Sequence, residues 1–141
     1  MTDELVTLEL RNDVAELGRL GDFLDAFSER HGLHPKVAYG VNLVLDELVT
    51  NVISYGHPGG GEHLITLRMA MRDGELTAEL EDDGRPFNPL GRPEPDTTLS
   101  IEERPIGGLG IHFARKTMDD IQYQRRGDRN ILTMKKRVLA P

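Results

Sequence analysis

Hydrophobic and polar residues alternate over residues 4 to 10, placing Val6, Leu8 and Leu10 on one side of a strand. The period then lengthens. Asn12 or Asp13 suits an N-cap, and Val14, Leu17, Leu20, Leu24 and Phe27 recur at helical spacing up to about Arg30, with His31-Gly32 as the stop. Gly18 and Gly21 weaken this helix by about 1 kcal/mol each relative to Ala, which points to a close packing contact there. Pro35 fits the first turn of a second helix that closes near Tyr55-Gly56, before the flexible Gly59-Gly60-Gly61. Two alternating runs come next, joined by Asp73-Gly74, a strong two-residue hairpin signal. The first points Ile65, Leu67, Met69 and Met71 one way. In the second, Leu76, Ala78 and Leu80 share a face, and the same parity carries on to Asp82.

Residues 83 to 106 hold five prolines and two glycines without sustained periodicity. They read as a long loop of the kind that forms lids or binding loops, with room for a short helix. Gly107-Gly108-Leu109-Gly110 then leads into a helical pattern through about Asp119, with Ile111, Ala114 and Met118 along one side. Residues 121 to 126 and 131 to 138 read as a closing hairpin around Gly127-Asp128-Arg129-Asn130. The order is strand, helix, helix, strand, strand, loop, helix, strand, strand. Strands joined mostly by hairpins, with helices gathered on one face, give an α/β (α+β) two-layer sandwich on a mixed, mostly antiparallel sheet.

Composition narrows the function classes. A chain of 141 residues with no internal repeat or linker is expected to form one domain, residues 1 to 141. The absence of cysteine removes disulfides and thiolate zinc sites, and with an acidic N-terminus that lacks a secretory pattern it fits a cytoplasmic protein. Apolar runs are too short for a membrane span, and a net charge of −7 argues against direct nucleic-acid or anionic-membrane binding. Eight basic and three acidic residues fall between Arg115 and Arg137. Such a segment is either a solvated helix face with edge-strand cations or a phosphate- or partner-binding patch.

The polar residues within apolar elements carry the candidate chemistry. In the run VNLVLDELVTNVISYGHP, Glu47, Asn51 and Ser54 form one stripe beside the apolar surface of Val41, Val44, Leu45, Leu48, Val49 and Val52. Glu47 and Asn51 either face water on an amphipathic helix or form a base and a neighbouring oxygen ligand for a hard cation such as Mg2+. Asp82 either caps a turn or is a carboxylate on a buried face, where it needs a hydrogen-bond partner. Glycines opening a helix, as at 107 to 110, let backbone N–H groups approach an anion at the positive end of the helix dipole. Neither G-x-G-x-x-G nor G-x-x-x-x-G-K-[ST] occurs, which disfavours two common nucleotide-binding layouts.

Together these segments resemble the nucleotide-binding module of the GHKL superfamily, the Bergerat fold of histidine kinases, gyrase, Hsp90 and MutL proteins. They are most similar to the anti-sigma-factor serine/threonine protein kinases. DELVTN (46 to 51) with SYGH resembles the N box, DDGRPFNP (82 to 89) the first glycine box and IGGLGIHFARKTMDD (106 to 120) the second, all in the family's order. The resemblance implies ATP and Mg2+ as cofactors, with Asn51 on the metal and Glu47 as the catalytic base. Asp82 would accept from the adenine amino group, and Gly84 would let the backbone pass close to the base. Residues 91 to 106 would form the ATP lid, Arg104 would reach the terminal phosphate, and Gly108, Leu109 and Gly110 would donate to the phosphates. Thr133 would make a water-mediated adenine contact. Tyr55 stands where the family often has His, and Asn88 where it often has Asp; neither is one of the implied direct ligands.

The activity so implied is transfer of the γ-phosphoryl group of ATP to a serine or threonine of a STAS-type antagonist protein. The kinase would otherwise bind a sigma factor, regulating transcription by partner switching. Similar proteins often form homodimers. The alternative is a non-catalytic ATP-binding switch that sequesters a regulatory partner; Glu47 favours the enzyme, since a pure switch has no use for a base. No histidine-containing dimerisation helix precedes the module, which disfavours a complete histidine kinase. Met1 and the complete set of boxes suit a self-standing module better than a piece of a larger regulator.

Overall fold

In a computed structural model, residues 5–88 and 114–138 are described. Strand β1 (Leu5–Arg11) is followed by a 3-10 turn (Val14–Glu16), helix α1 (Leu17–Arg30) and helix α2 (Pro35–Tyr55). Strands β2 (Leu64–Arg72), β3 (Glu75–Asp82), β4 (Asp120–Arg126) and β5 (Arg129–Arg137) complete the framework. Residues 114–117 are helical. The glycine turn 107–110, Arg104, most of the long loop and all of the lid segment 91–106 lie outside the described residues.

The 3-10 turn leading into α1, and helix α2, each begin where the sequence supplies a cap. The Asp13 side chain accepts from the Ala15 N–H at the head of the 3-10 turn, and the His34 side chain accepts from the Lys36 N–H with Pro35 in the first turn of α2. Glu16, buried though charged, accepts from the Arg11 backbone N–H at 2.9 Å and pairs with Arg19 at 3.1 Å, tying α1 to the end of β1. The Arg11 N–H bond, with the two guanidinium groups, outweighs burial and holds the Glu16 carboxyl below its ordinary value.

The five-stranded sheet has the order β1-β2-β3-β5-β4, and every pairing is antiparallel, so the parallel component expected of a mixed sheet is absent among the described strands. Asp73 and Gly74 take φ values of 52° and 76°, the left-handed pair that a tight two-residue hairpin turn requires. This turn sets the register Arg72↔Glu75 through Ile65↔Asp82. The closing hairpin is tighter than the sequence suggests. Its loop is Gly127-Asp128 alone, with Arg126 paired to Arg129, so Arg129 and Asn130 belong to β5.

One sheet face packs on the helices. Leu8, Leu10, Ile65, Leu67, Met69, Leu76, Ala78, Leu80, Leu132 and Met134 meet Leu20, Leu24 and Phe27 of α1 and Val41, Val44, Leu45, Leu48 and Val49 of α2 in a single core. Fully burying one Leu or Val side chain contributes about 1.5–3 kcal/mol, so this face dominates the stability of the fold. The opposite face carries ion pairs such as Arg68 with Glu79 and Glu81 at 2.9 and 3.0 Å. Among the described residues, no helix is long and apolar enough to cross a membrane.

Two expectations for the first helix are corrected. Val14 is 62% exposed, because it belongs to the 3-10 turn, whose different pitch takes it off the apolar stripe of α1. Gly18 and Gly21 mark no close contact: no described atom lies within 4 Å of where a Cβ would stand. Gly21→Ala is therefore expected to raise stability by about 0.5–1 kcal/mol, read as a higher urea midpoint at unchanged slope. A lowered midpoint would reveal a packing role.

Candidate functional site

The site grows from the end of β3. Strand alternation turns Asp82 to the helix-covered face, where it is 6% exposed. Its Oδ1 accepts from the Gly84 N–H at 2.8 Å and from Asn130 Nδ2 at 3.0 Å, the residue directly across from it on β5. No described residue donates to Oδ2. Half of the carboxylate is thus fixed by the fold, and half is left to accept a further donor.

Asn130 organises the turn beyond β3. Its amide nitrogen also donates to the carbonyl oxygens of Arg85 (2.9 Å) and, at longer range, Gly84 (3.4 Å). Its amide oxygen accepts from Tyr123 Oη (2.5 Å), Arg125 Nη1 (3.1 Å) and the Phe87 N–H (3.3 Å). Arg125 Nη1 reaches the Gly84 carbonyl as well, at 2.8 Å. This network holds the turn in one shape. Gly84 is obligatory there: a Cβ would stand 2.8 Å from Asp82 Oδ1 and 2.9 Å from the Gly56 carbonyl oxygen. The Arg85 N–H donates to that same carbonyl at 2.9 Å, fastening the turn to the end of α2.

Between α2 and the β3–β5–β4 side of the sheet lies an apolar cavity. Leu48, Val52, Leu80, Phe87 and Leu132 form its walls, Tyr55 and Tyr123 add aromatic surface, and Asn51, Asp82, Asn130 and Arg85 supply polar groups. The N box and the first glycine box therefore converge: Asn51 from α2 and Asp82 from β3 line one cavity. Glu47, one turn before Asn51 on the same helix, is exposed and lies outside the lining. Gly84 packs behind the cavity against Gly56.

Thr133 is not brought to the site. It pairs with Glu79 on β3, so its side chain falls on the opposite sheet face from Asp82, Leu132 and Asn130. The polar last-strand side chain facing the cavity is Asn130 instead, beside Leu132, and the sequence alone assigns Asn130 to a turn. The usable signal was the Gly127-Asp128 pair, which supports a two-residue hairpin and so puts Asn130 on β5 opposite Arg125, on the same face as Leu132; its pairing with Asp82 comes from the β3–β5 register. Arg104, Gly108, Leu109 and Gly110 lie outside the described residues.

The cavity suits a flat, mostly apolar group that presents a hydrogen-bond donor to Asp82 Oδ2 at its inner end, with the Asn51 amide as a hard oxygen donor in the same wall. Those are the requirements of an adenine base and of a cation beside its phosphates. Over its length the chain is 28% identical, across 138 residues, to the serine/threonine-protein kinase BtrW of Bordetella bronchiseptica, covering 95% of this chain and 94% of BtrW. Among solved structures it is similar to the RsbU and RsbW domains of Rv1364c from Mycobacterium tuberculosis, with a TM-score of 0.68 and 12% identity over 98% of this chain and 33% of that one. It is also similar to the blue-light activated histidine kinase of Erythrobacter litoralis, with a TM-score of 0.57 and 20% identity over 88% of this chain and 41% of that one. At those identities the two structures speak for the fold, and this chain spans less than half the length of either. The sequence pattern of the histidine kinase-like ATPase domain matches residues 10–136, and the chain belongs to that family.

Proposed function

We propose that the protein is an ATP-dependent serine/threonine kinase of the anti-sigma-factor type, acting in the cytoplasm. Its substrate would be a serine or threonine hydroxyl of a STAS-type antagonist protein, and its second partner a sigma factor. The observation that carries this reading is the meeting of Asn51 and Asp82 on one apolar cavity, supported by full-length similarity to a protein named as a serine/threonine kinase.

In this reading the apolar walls take the adenine faces, and Asp82 Oδ2 accepts from the exocyclic amino group. Asn51 holds Mg2+ through its amide oxygen. Arg104 and the N–H groups of Gly108, Leu109 and Gly110 engage the phosphates. When bound, Mg-ATP supplies an electrophilic γ-phosphoryl group with part of its charge neutralised. Glu47, exposed one turn from Asn51, orients the incoming hydroxyl and takes its proton. Phosphoryl transfer depends mainly on positioning and charge, so this small set suffices. An exposed Glu47 suits a base that must meet a hydroxyl on another protein.

The direct test is incubation with labelled ATP and STAS-type proteins from the same genome, read as phosphate on a serine or threonine. Absence of transfer together with tight Mg-ATP binding would favour the non-catalytic switch. Asp82→Asn keeps the acceptor for Gly84 but sets an amide donor against the adenine amino group, so ATP affinity is expected to fall about ten- to a hundredfold. Calorimetry giving wild-type affinity would remove Asp82 from the adenine contact. Thr133→Val, on the far sheet face, is expected to leave that affinity unchanged. Glu47→Ala is expected to bind Mg-ATP normally yet phosphorylate its partner about 10²–10⁴-fold more slowly. Full activity in that variant would eliminate the base.

A further inference from the structure

Beside the cavity, three side chains from three different segments converge. His57 comes just after the end of α2, His63 immediately precedes β2, and Asp83 immediately succeeds β3. The glycine run between the two histidines turns back on itself, with φ of 78° at Gly60 and 91° at Gly61, and the Gly60 N–H donates to the His57 carbonyl at 2.9 Å. The two imidazole rings consequently stack, 3.5 Å between centroids and 8° from parallel. Asp83 addresses both: Oδ1 lies 3.3 Å from His57 Nε2 and Oδ2 lies 3.2 Å from His63 Nδ1.

We propose that His57, His63 and Asp83 form a binding site for a divalent transition-metal cation of the zinc class. Two imidazole nitrogens and one carboxylate are the donor set of three-ligand zinc sites, and nitrogen donors disfavour Mg2+, which takes oxygen. The spacing fits. Bonds of about 2.0–2.1 Å in a tetrahedral site put neighbouring ligand atoms about 3.3–3.4 Å apart. Each nitrogen lies at about that edge length from the Asp83 carboxylate, His57 Nε2 from Oδ1 and His63 Nδ1 from Oδ2. One ligand atom from each residue lies within 4.8 Å of the others, so closing a tetrahedral site on a single oxygen asks the carboxylate to rotate.

A second observation points independently to a ligand. The His57 side chain is nine-tenths buried, at 10% exposure, and its Nε2 and the facing Asp83 Oδ1 are both buried without a hydrogen-bond partner, since their approach is poorly aligned for one. Leaving both atoms unsatisfied is costly, and a cation between them would use both lone pairs. His63 Nδ1 does lie within hydrogen-bonding distance of Asp83 Oδ2.

The scaffold is built for placement. The Asn12 N–H donates to the His63 carbonyl, its side-chain oxygen accepts from the His63 N–H at 2.9 Å, and its amide donates to the Gly61 carbonyl at 3.1 Å. The bond from Arg85 N–H to Gly56 carbonyl fixes the other side. Three protein ligands leave a fourth position for water. That position is reached from an open cleft on the charged side of the sheet, lined by His63, Asp83, Thr66, Glu9, Arg11 and Arg129. A cation here would clip the end of α2 to the end of β3, the two elements that carry Asn51 and Asp82.

The test uses the tag-free full chain, stripped with chelator and titrated with zinc chloride in the absence of nucleotide, by calorimetry and by competition with a chromophoric chelator. One zinc per chain is expected, undisturbed by excess Mg2+, with a zinc-dependent rise in melting temperature. His63→Gln and Asp83→Asn, both at partly exposed side chains, are expected to lower zinc affinity by more than about a hundredfold, beyond the loss typical of outer-shell changes. His34→Gln, at the far end of α2, is expected to bind as the parent does. Circular dichroism establishes that each variant is folded before it is compared. Absence of saturable binding by the parent chain, or equal binding by His63→Gln and Asp83→Asn, would overturn the site, whatever the outcome of the kinase assay.

Discussion

The bond between Asp82 and Asn130 is the constraint on which the functional half of the molecule depends. A carboxylate on the core side of a sheet is tolerable only if its hydrogen-bonding capacity is met, because transferring a charge out of water without compensation costs several kcal/mol. Here one oxygen is met by the protein, through Asn130 Nδ2 and the Gly84 N–H, and the other opens to a cavity. The same asparagine reaches the carbonyls of Gly84 and Arg85 and receives Tyr123, Arg125 and the Phe87 N–H. One side chain therefore fixes the acceptor, the turn beyond it and part of the cavity wall. A shift of one residue in the β3–β5 register would turn Asn130 to the other face and dismantle all three.

The second constraint is the approach of that turn to the end of α2. Gly84 can lie against the Gly56 backbone only because it carries no side chain, and the Arg85 N–H to Gly56 carbonyl bond secures the contact. This closure gives the cavity two walls of different origin, a helix contributing Leu48, Asn51 and Val52 and a sheet contributing Leu80, Asp82 and Leu132. The His57, His63 and Asp83 cluster sits on the outer side of the same closure, one residue from Asp82 in the chain. The candidate nucleotide cavity inside and the proposed metal site outside thus share one junction, so anything that tightens the junction should also order the cavity.

Separating the two sheet faces lets so short a chain carry this much polar chemistry. The helix side holds the core, with Leu10, Leu45, Val49, Ile65 and Leu67 wholly inaccessible, and its stability lets polar groups intrude at one end. The other side holds charge ladders such as Arg68 with Glu79 and Glu81, where the hydrogen bond and charge of Glu81 raise the Arg68 guanidinium above its ordinary value despite the burial that opposes it. Those half-buried pairs still meet solvent, and their net contribution to stability is small.

The sequence by itself determined the elements and their faces: the period of Val6, Leu8 and Leu10, the helical stripe of Leu20, Leu24 and Phe27, the Asp73-Gly74 turn and the inward parity of Asp82 all come from local spacing and turn chemistry. Local rules sufficed because side-chain direction in a strand or helix is set by the backbone repeat. They failed at boundaries. Val14 kept its apolar spacing but fell into a 3-10 turn, and a closing turn read two residues too long hid Asn130. What only the tertiary structure decided is which distant residues meet: Asn130 with Asp82, Gly84 with Gly56, and His57 with His63 and Asp83. Those meetings depend on strand register and on how closely two backbones pass, which arise from packing the whole chain at once and leave no periodic trace in any one segment.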